Sequence, residues 1–227
     1  MKRMTIVLAA TASLFFTTQA NAQFGGLKDS MDSLGDATKD VAATGDISQE
    51  SIVQNFLVAN ELVNETNAVM LEAFGRKEEA AKIREEGAAM KAKATEGDKD
   101  ALKEFTVFSQ DNLDVVASLA AGGADLSAEG RERYVAGLVL AYESVMAGKG
   151  MTEEASAFAQ SATAQINSAS MLQKAKVVKK LAAGTFVAKE LPGYLQRLTT
   201  GVGSLVAYAK SADIPTPDDP TGILAAL

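Results

Sequence analysis

The chain of 227 residues contains no cysteine, no histidine and no tryptophan, and the first two absences exclude most kinds of catalytic site. Without histidine there is no imidazole base, no histidine-activated serine nucleophile and no Glu-x-x-His di-iron site. Without cysteine there is no thiolate nucleophile, disulfide, iron–sulfur cluster or thiolate zinc site. Any bound metal would need oxygen ligands alone, which suits Ca²⁺ or Mg²⁺.

Two short motifs resemble ligand sites, and both are better explained as helix features. The segment Asp98-Lys99-Asp100 opens like a calcium loop, but the loop glycine is missing and helix-forming residues follow, so we predict that Asp98 caps a helix. The pair Gly201-x-Gly203 lacks the third glycine and the strand of a dinucleotide site, and favours close helix packing. We therefore predict no metal, no cofactor, no catalytic residue and no enzymatic activity.

The first 22 residues have the pattern of a cleaved export signal. A basic start at Met1-Lys2-Arg3 precedes a short apolar run, and Ala20-Asn21-Ala22 is a small-x-small cleavage site that would leave Gln23 first. No cysteine follows the cleavage point, so no lipid anchor is expected. The pattern predicts a bacterial Sec-type signal and a periplasmic or secreted protein without a later membrane span, since no later run is long and apolar enough.

The charge balance argues against nucleic acid as a partner. There are 29 acidic and 22 basic side chains, for a formal net charge of −7, and loss of the basic signal would make the protein more acidic. A chain of that charge is repelled by nucleic acid and by anionic lipid surfaces.

The composition predicts an all-α fold. All four prolines lie at or after Pro192, and the preceding residues are rich in helix formers with little period-2 alternation. We predict a single antiparallel bundle of about six to seven helices at 47–213. A leader and an amphipathic N-terminal helix at 23–46 precede it, and an extended, proline-rich arm at 214–227 follows it.

Several local features of this bundle follow from the same pattern. Ser127 is predicted to cap a helix, as is Asp98, and glycines predict a loop at 148–150. Pro192 predicts a break, because proline disfavours helical geometry at the residue before it. The charged helix at about 77–95 is predicted to be the most exposed, because it has few large apolar residues.

Two surfaces are candidates for binding. Lys176, Lys179 and Lys180 fall on one face of a predicted helix that has no acid nearby, so that face either binds an anion or an acidic partner, or is simply solvated. The arm ends in a second candidate, formed by the apolar residues Ile223, Leu224 and Leu227. These should dock, either in a groove of the arm's own bundle or on a partner.

These features favour a non-catalytic exported helical protein that binds or scaffolds another protein in the periplasm. One alternative is a carrier of an apolar small molecule or lipid held between helices, with methionines and phenylalanines lining an adaptable pocket. A second alternative is an enzyme that uses carboxylates only. No motif identifies a family, a ligand, a partner, an oligomeric state or a pathway.

Overall fold

The computed structural model describes residues 48–219 and Gly222, and every regular element in those residues is an α-helix. The predicted signal peptide at 1–22, the predicted helix within 23–46 and the docking residues Ile223, Leu224 and Leu227 lie outside the described residues. The helices are α1 (Gln49–Ala73), α2 (Lys77–Ala94), α3 (Lys99–Ala121), α4 (Ala128–Gly150), α5 (Thr152–Ser168), α6 (Met171–Lys180) and α7 (Ala182–Ser211). The prediction of an all-α bundle is confirmed.

Helix α1 forms the centre of the bundle. It packs against α2, α3, α4 and α7, and 17 of its 25 residues are buried. Large apolar side chains occur on more than one side of it, as with Phe56, Leu57 and Leu62, all fully buried. A helix that is apolar on several sides belongs in a core.

Helix α4 approaches its neighbours through glycines. A Cβ on Gly130 would lie 2.5 Å from the Ala73 carbonyl oxygen of α1, and one on Gly148 would lie 2.6 Å from a methyl carbon of Leu195 in α7. The predicted loop at 148–150 is wrong, because α4 continues to Gly150. Gly148 provides space for a neighbouring side chain and does not end the helix.

The predicted helix caps are confirmed. The Asp98 Oδ1 atom accepts hydrogen bonds from the backbone N–H groups of Asp100 at 2.8 Å and Ala101 at 2.9 Å. The Ser127 hydroxyl oxygen accepts one from the Gly130 N–H at 3.0 Å. Close packing at Gly201 is also confirmed, because a Cβ there would lie 2.7 Å from a methyl carbon of Leu113 in α3.

The predicted break at Pro192 is wrong, because α7 is 30 residues long and includes this proline in its interior. Proline inside a helix removes one backbone hydrogen bond and crowds the preceding turn. Here the proline itself is exposed, whereas Leu191 and Tyr194 on either side of it are buried. Burial of these two large side chains favours the helix by more than the local cost of the proline.

Candidate functional site

Two surface clefts are lined mainly by polar or small residues. One of about 630 Å³ lies between α3 and α7, and its guanidinium, Arg197, already binds Asp114 of the same chain at 2.6 Å. The other, of about 290 Å³, lies where α1 ends and α4 begins, and both Lys77 and Glu129 line it. Neither cleft presents an unpaired cluster of like charges, so both are weaker candidates for a binding site than the surface described next.

The strongest candidate is a helical hairpin formed by α5 and α6. Phe158 in α5 contacts Gly184 in α7, since a Cβ on that glycine would lie only 2.5 Å from the phenylalanine ring. The chain between these two residues therefore starts from and returns to the same place on the bundle. A two-residue extended link, Ala169 and Ser170, joins the two helices.

The base of the hairpin is fixed to the core. Phe158 is buried, and the Asn55 side-chain amide of α1 donates a 3.0 Å hydrogen bond to the Glu154 carboxylate. The Gly184 N–H donates to the Gln49 side-chain oxygen at 3.1 Å. These contacts lie at the start of α5 and of α7, so they position the hairpin without involving its outer part.

The outer part of the hairpin, residues 163–180, is mostly exposed, although Ile166 and Val177 are half-buried against the core. No residue of it is buried, and the core is next entered at Leu181. Met171 and Leu172, which begin α6, are 93% and 96% exposed. We call these two residues the hairpin tip. Large apolar side chains this exposed side by side are unusual for a folded surface and mark candidate interaction sites.

All three lysines of the predicted anion face lie on α6 and are exposed. Leu172, Lys176 and Lys179 are spaced by four and three residues, so the tip leucine lies on the lysine face. Met171 and Val178, which is 48% exposed, are seven residues apart on a second exposed side. The lysine face therefore has an apolar end, at Leu172, and a basic end, at Lys176 and Lys179.

The hairpin also differs in charge from the rest of the chain. Residues 155–189 contain five lysines and no acid, within a protein of net charge −7. In the described part of the chain, the ion pairs use other cations, among them Arg76, Lys82, Arg84, Lys91, Arg133 and Arg197. The α6 lysines thus present an uncompensated positive field.

The most connected of those ion pairs serves the bundle. The Arg84 guanidinium of α2 binds both oxygens of Glu65 at 2.8 and 2.9 Å and also binds Glu72, which binds Arg133 of α4 at 2.8 Å. Burial lowers the pKa of Arg84, but the hydrogen bonds from Glu65 and Glu72 outweigh this effect and raise it. This network ties α1, α2 and α4 together.

A buried polar layer on α1 was not predicted from the sequence. Asn60, Asn64 and Asn67 are buried, and the Asn64 side-chain amide has no hydrogen-bond partner among the described residues. The Asn67 amide donates to the Ser109 carbonyl of α3 at 2.9 Å. In a sequence, polar residues at this spacing are typical of an exposed helix face. They are buried here because several other helices pack around α1, which the sequence of α1 alone does not show.

The exposed tip was missed for the same reason. Met171 and Leu172 have the composition of a buried stripe, and the prediction that α2 is the most exposed helix is wrong because α6 is more exposed. The long acid-free interval at 155–189 was the available signal.

The groups that the hairpin presents, thioether, alkyl and ammonium, are suited to binding. Within residues 48–219, acids do not group in threes that could hold a metal ion, and no described helix is long and apolar enough to cross a bilayer. No family model matches the chain, and no curated protein or solved structure is significantly similar to it.

Proposed function

We propose that the chain is a non-catalytic exported protein that binds or scaffolds another protein in the periplasm, and that the α5–α6 hairpin makes the contact. The observation that carries this proposal is the hairpin tip, Met171 and Leu172, exposed next to a face of unpaired lysines. An apolar centre supplies affinity when it is desolvated, and surrounding charge supplies specificity and a fast encounter.

The charge pattern favours a partner with an acidic surface around an apolar pocket. Four lysines at 174–180 raise the local concentration of such a partner, and this effect falls with ionic strength. The rigid base at Phe158 supports binding without a large rearrangement, which reduces the entropic cost of association.

Among residues 48–219, no observation favours the lipid-carrier alternative. The two described clefts lie at the surface and are lined mainly by polar or small residues. An enzyme that uses carboxylates alone gains no support either, since Glu65 and Glu154 are held by Arg84 and Asn55.

Native mass spectrometry of the full chain purified from periplasmic extract tests the binding proposal. Two site variants are compared with the wild type: Met171→Ser with Leu172→Ser, and the triple Gln variant of Lys176, Lys179 and Lys180. The matched control replaces Lys93, Lys99 and Lys103 by Gln, since these are also exposed but lie on α2 and α3.

We expect a heteromeric complex for the wild type and the control that is lost in both site variants, with little change in melting temperature because the replaced groups are exposed. Identical complexes in all four proteins would contradict the proposal. A complex of twice the chain mass would identify the partner as a second copy of this chain and contradict the proposal. Sedimentation with anionic vesicles, without a protein complex, would identify the partner as a membrane and also contradict it.

The export part of the proposal is tested separately. Cell fractionation with intact-mass measurement should find the protein in the periplasm beginning at Gln23. A cytoplasmic product that retains Met1 would refute export and leave the binding surface to be tested on its own.

A further inference from the structure

One apolar stripe on α4 is only partly covered. Val135, Val139, Tyr142 and Met146 follow one another at spacings of four, three and four, so they lie on one side of the helix. We call this set the α4 stripe. Tyr142 is buried, whereas Val139 and Met146 on either side of it are 41% and 48% exposed.

The C-terminal arm begins beside the start of this stripe. The Arg131 guanidinium donates a 2.8 Å hydrogen bond to the Ala212 carbonyl, one helical turn before Val135. Asp213 then turns the chain with φ +51°, and the Ile214 N–H donates to the Ala209 carbonyl at 2.8 Å. Ile214 is 4% exposed, so the arm leaves α7 by packing on the bundle.

The described part of the arm ends near Tyr142 of α4. Thr216, Pro217 and Asp219 are half-buried, and Asp219 is near enough to add to the effect of burial in raising the pKa of Tyr142. Along α4 the distance from Arg131 to Tyr142 is roughly 16 Å. Seven residues of extended, proline-rich chain cover roughly 22 Å, which suffices for this distance and the turn at Asp213.

We propose that residues 220–227 continue along this course and dock on the exposed C-terminal part of the α4 stripe, at Met146. The apolar side chains available for this are Ile223, Leu224 and Leu227. Met146 lies only about 6 Å beyond Tyr142 along the helix, and four more extended residues after Asp219 reach about 12 Å. Gly222, at φ +72°, lets the chain bend onto the helix.

This choice of occupant rests on continuity and sequence. Asp219, the last described residue before 220, is near Tyr142 of α4, and the next apolar side chain of the arm, Ile223, is within reach of the uncovered Met146. A second molecule on the same surface would have to bind beside the arm near Tyr142.

Because the chain has no natural cysteine, a disulfide test is clean. In the full chain, Met146→Cys is combined with Leu224→Cys; the control pair is Val107→Cys with Leu224→Cys. Val107, on α3, is 43% exposed and so matches Met146 in exposure. Under mild oxidation we expect an intramolecular disulfide in the Met146 pair and little in the control pair, scored by non-reducing electrophoresis and intact mass.

Thermal melting of the isolated protein is the second measurement. Replacing Ile223, Leu224 and Leu227 together by Ser should lower the melting temperature by several degrees, while Asp218→Ser, exposed in the same arm, should leave it unchanged. Equal cross-linking of the two cysteine pairs, disulfide-linked dimers, or an unchanged melt in the triple variant would each overturn the proposal.

Discussion

Adding one methyl group at each of three glycines of α4 tests whether close helix approach holds the bundle together. At Gly130 the added Cβ would lie 2.5 Å from the backbone carbonyl oxygen of Ala73, and at Gly137 it would lie 2.8 Å from the terminal methyl of Met70. Gly150 has nothing within 4 Å of the same position. The three Ala variants therefore differ in what the new methyl group meets.

The expected order of stability follows from these neighbours. At Gly130 the obstacle is backbone, so overpacking costs about 2–3 kcal/mol while the better helix propensity of alanine returns about 0.5–1 kcal/mol. The net loss of about 1–2.5 kcal/mol lowers the melting temperature by about 2–10 °C for a chain of this size. At Gly137 the flexible Met70 side chain can move, so we expect a change near zero.

Gly150→Ala is the matched control, and it should melt at or slightly above the wild-type temperature because only helix propensity changes. Far-UV circular dichroism during heating, with urea unfolding as a second measure, gives the three values. The reasoning is refuted if Gly130→Ala is as stable as Gly150→Ala, because the contact with Ala73 would then not limit the approach of α1 and α4.

Three further changes test separate features of the bundle by the same melts. Pro192→Ala should raise the melting temperature, since it restores a backbone hydrogen bond at an exposed position of α7 at a gain of up to about 3 kcal/mol; a lower value would mean that α7 requires the proline. Burial raises the pKa of the Glu143 carboxyl, so its charged form costs stability at neutral pH and this cost fades as the pH falls through the raised pKa. Glu143→Gln should therefore stabilise the protein at neutral pH but not near about pH 4, and a benefit that is independent of pH would contradict this cause. Arg84→Ala should destabilise the protein by about 1–3 kcal/mol, because it leaves Glu65 half-buried without its cation and Glu72 with Arg133 alone; an unchanged melt would show that solvent replaces the guanidinium.

Much of the fold could be predicted because its signals are local. The hydroxyl or carboxylate oxygens of Ser127 and Asp98 are within a few residues of the N–H groups that they cap, so the sequence contains both partners. Pro192 was misjudged because its effect is decided by the burial of its neighbours Leu191 and Tyr194, which depends on helices distant in the sequence.

The candidate site could be predicted only in part, for a related physical reason. Its lysines were recognisable because like charges without acids are rare in an acidic chain. The exposure of Met171 was not, since an apolar side chain looks the same in a sequence whether a core receives it or not. The burial of Asn64 could not be predicted for the converse reason, because a polar side chain is expected at the surface but this one lies in the core.

The attachment of α2 has a consequence for hydrogen exchange. Of its four buried residues only Ile83 is large, and Gly87 lies over the unpaired Asn64 amide. Arg84 and Lys91 add ion pairs with carboxylates of α1 to this small apolar contact. Its amide protons should therefore exchange through a local opening that becomes more frequent as salt is added, while protection in α1 and α7, which depends on apolar burial, hardly responds.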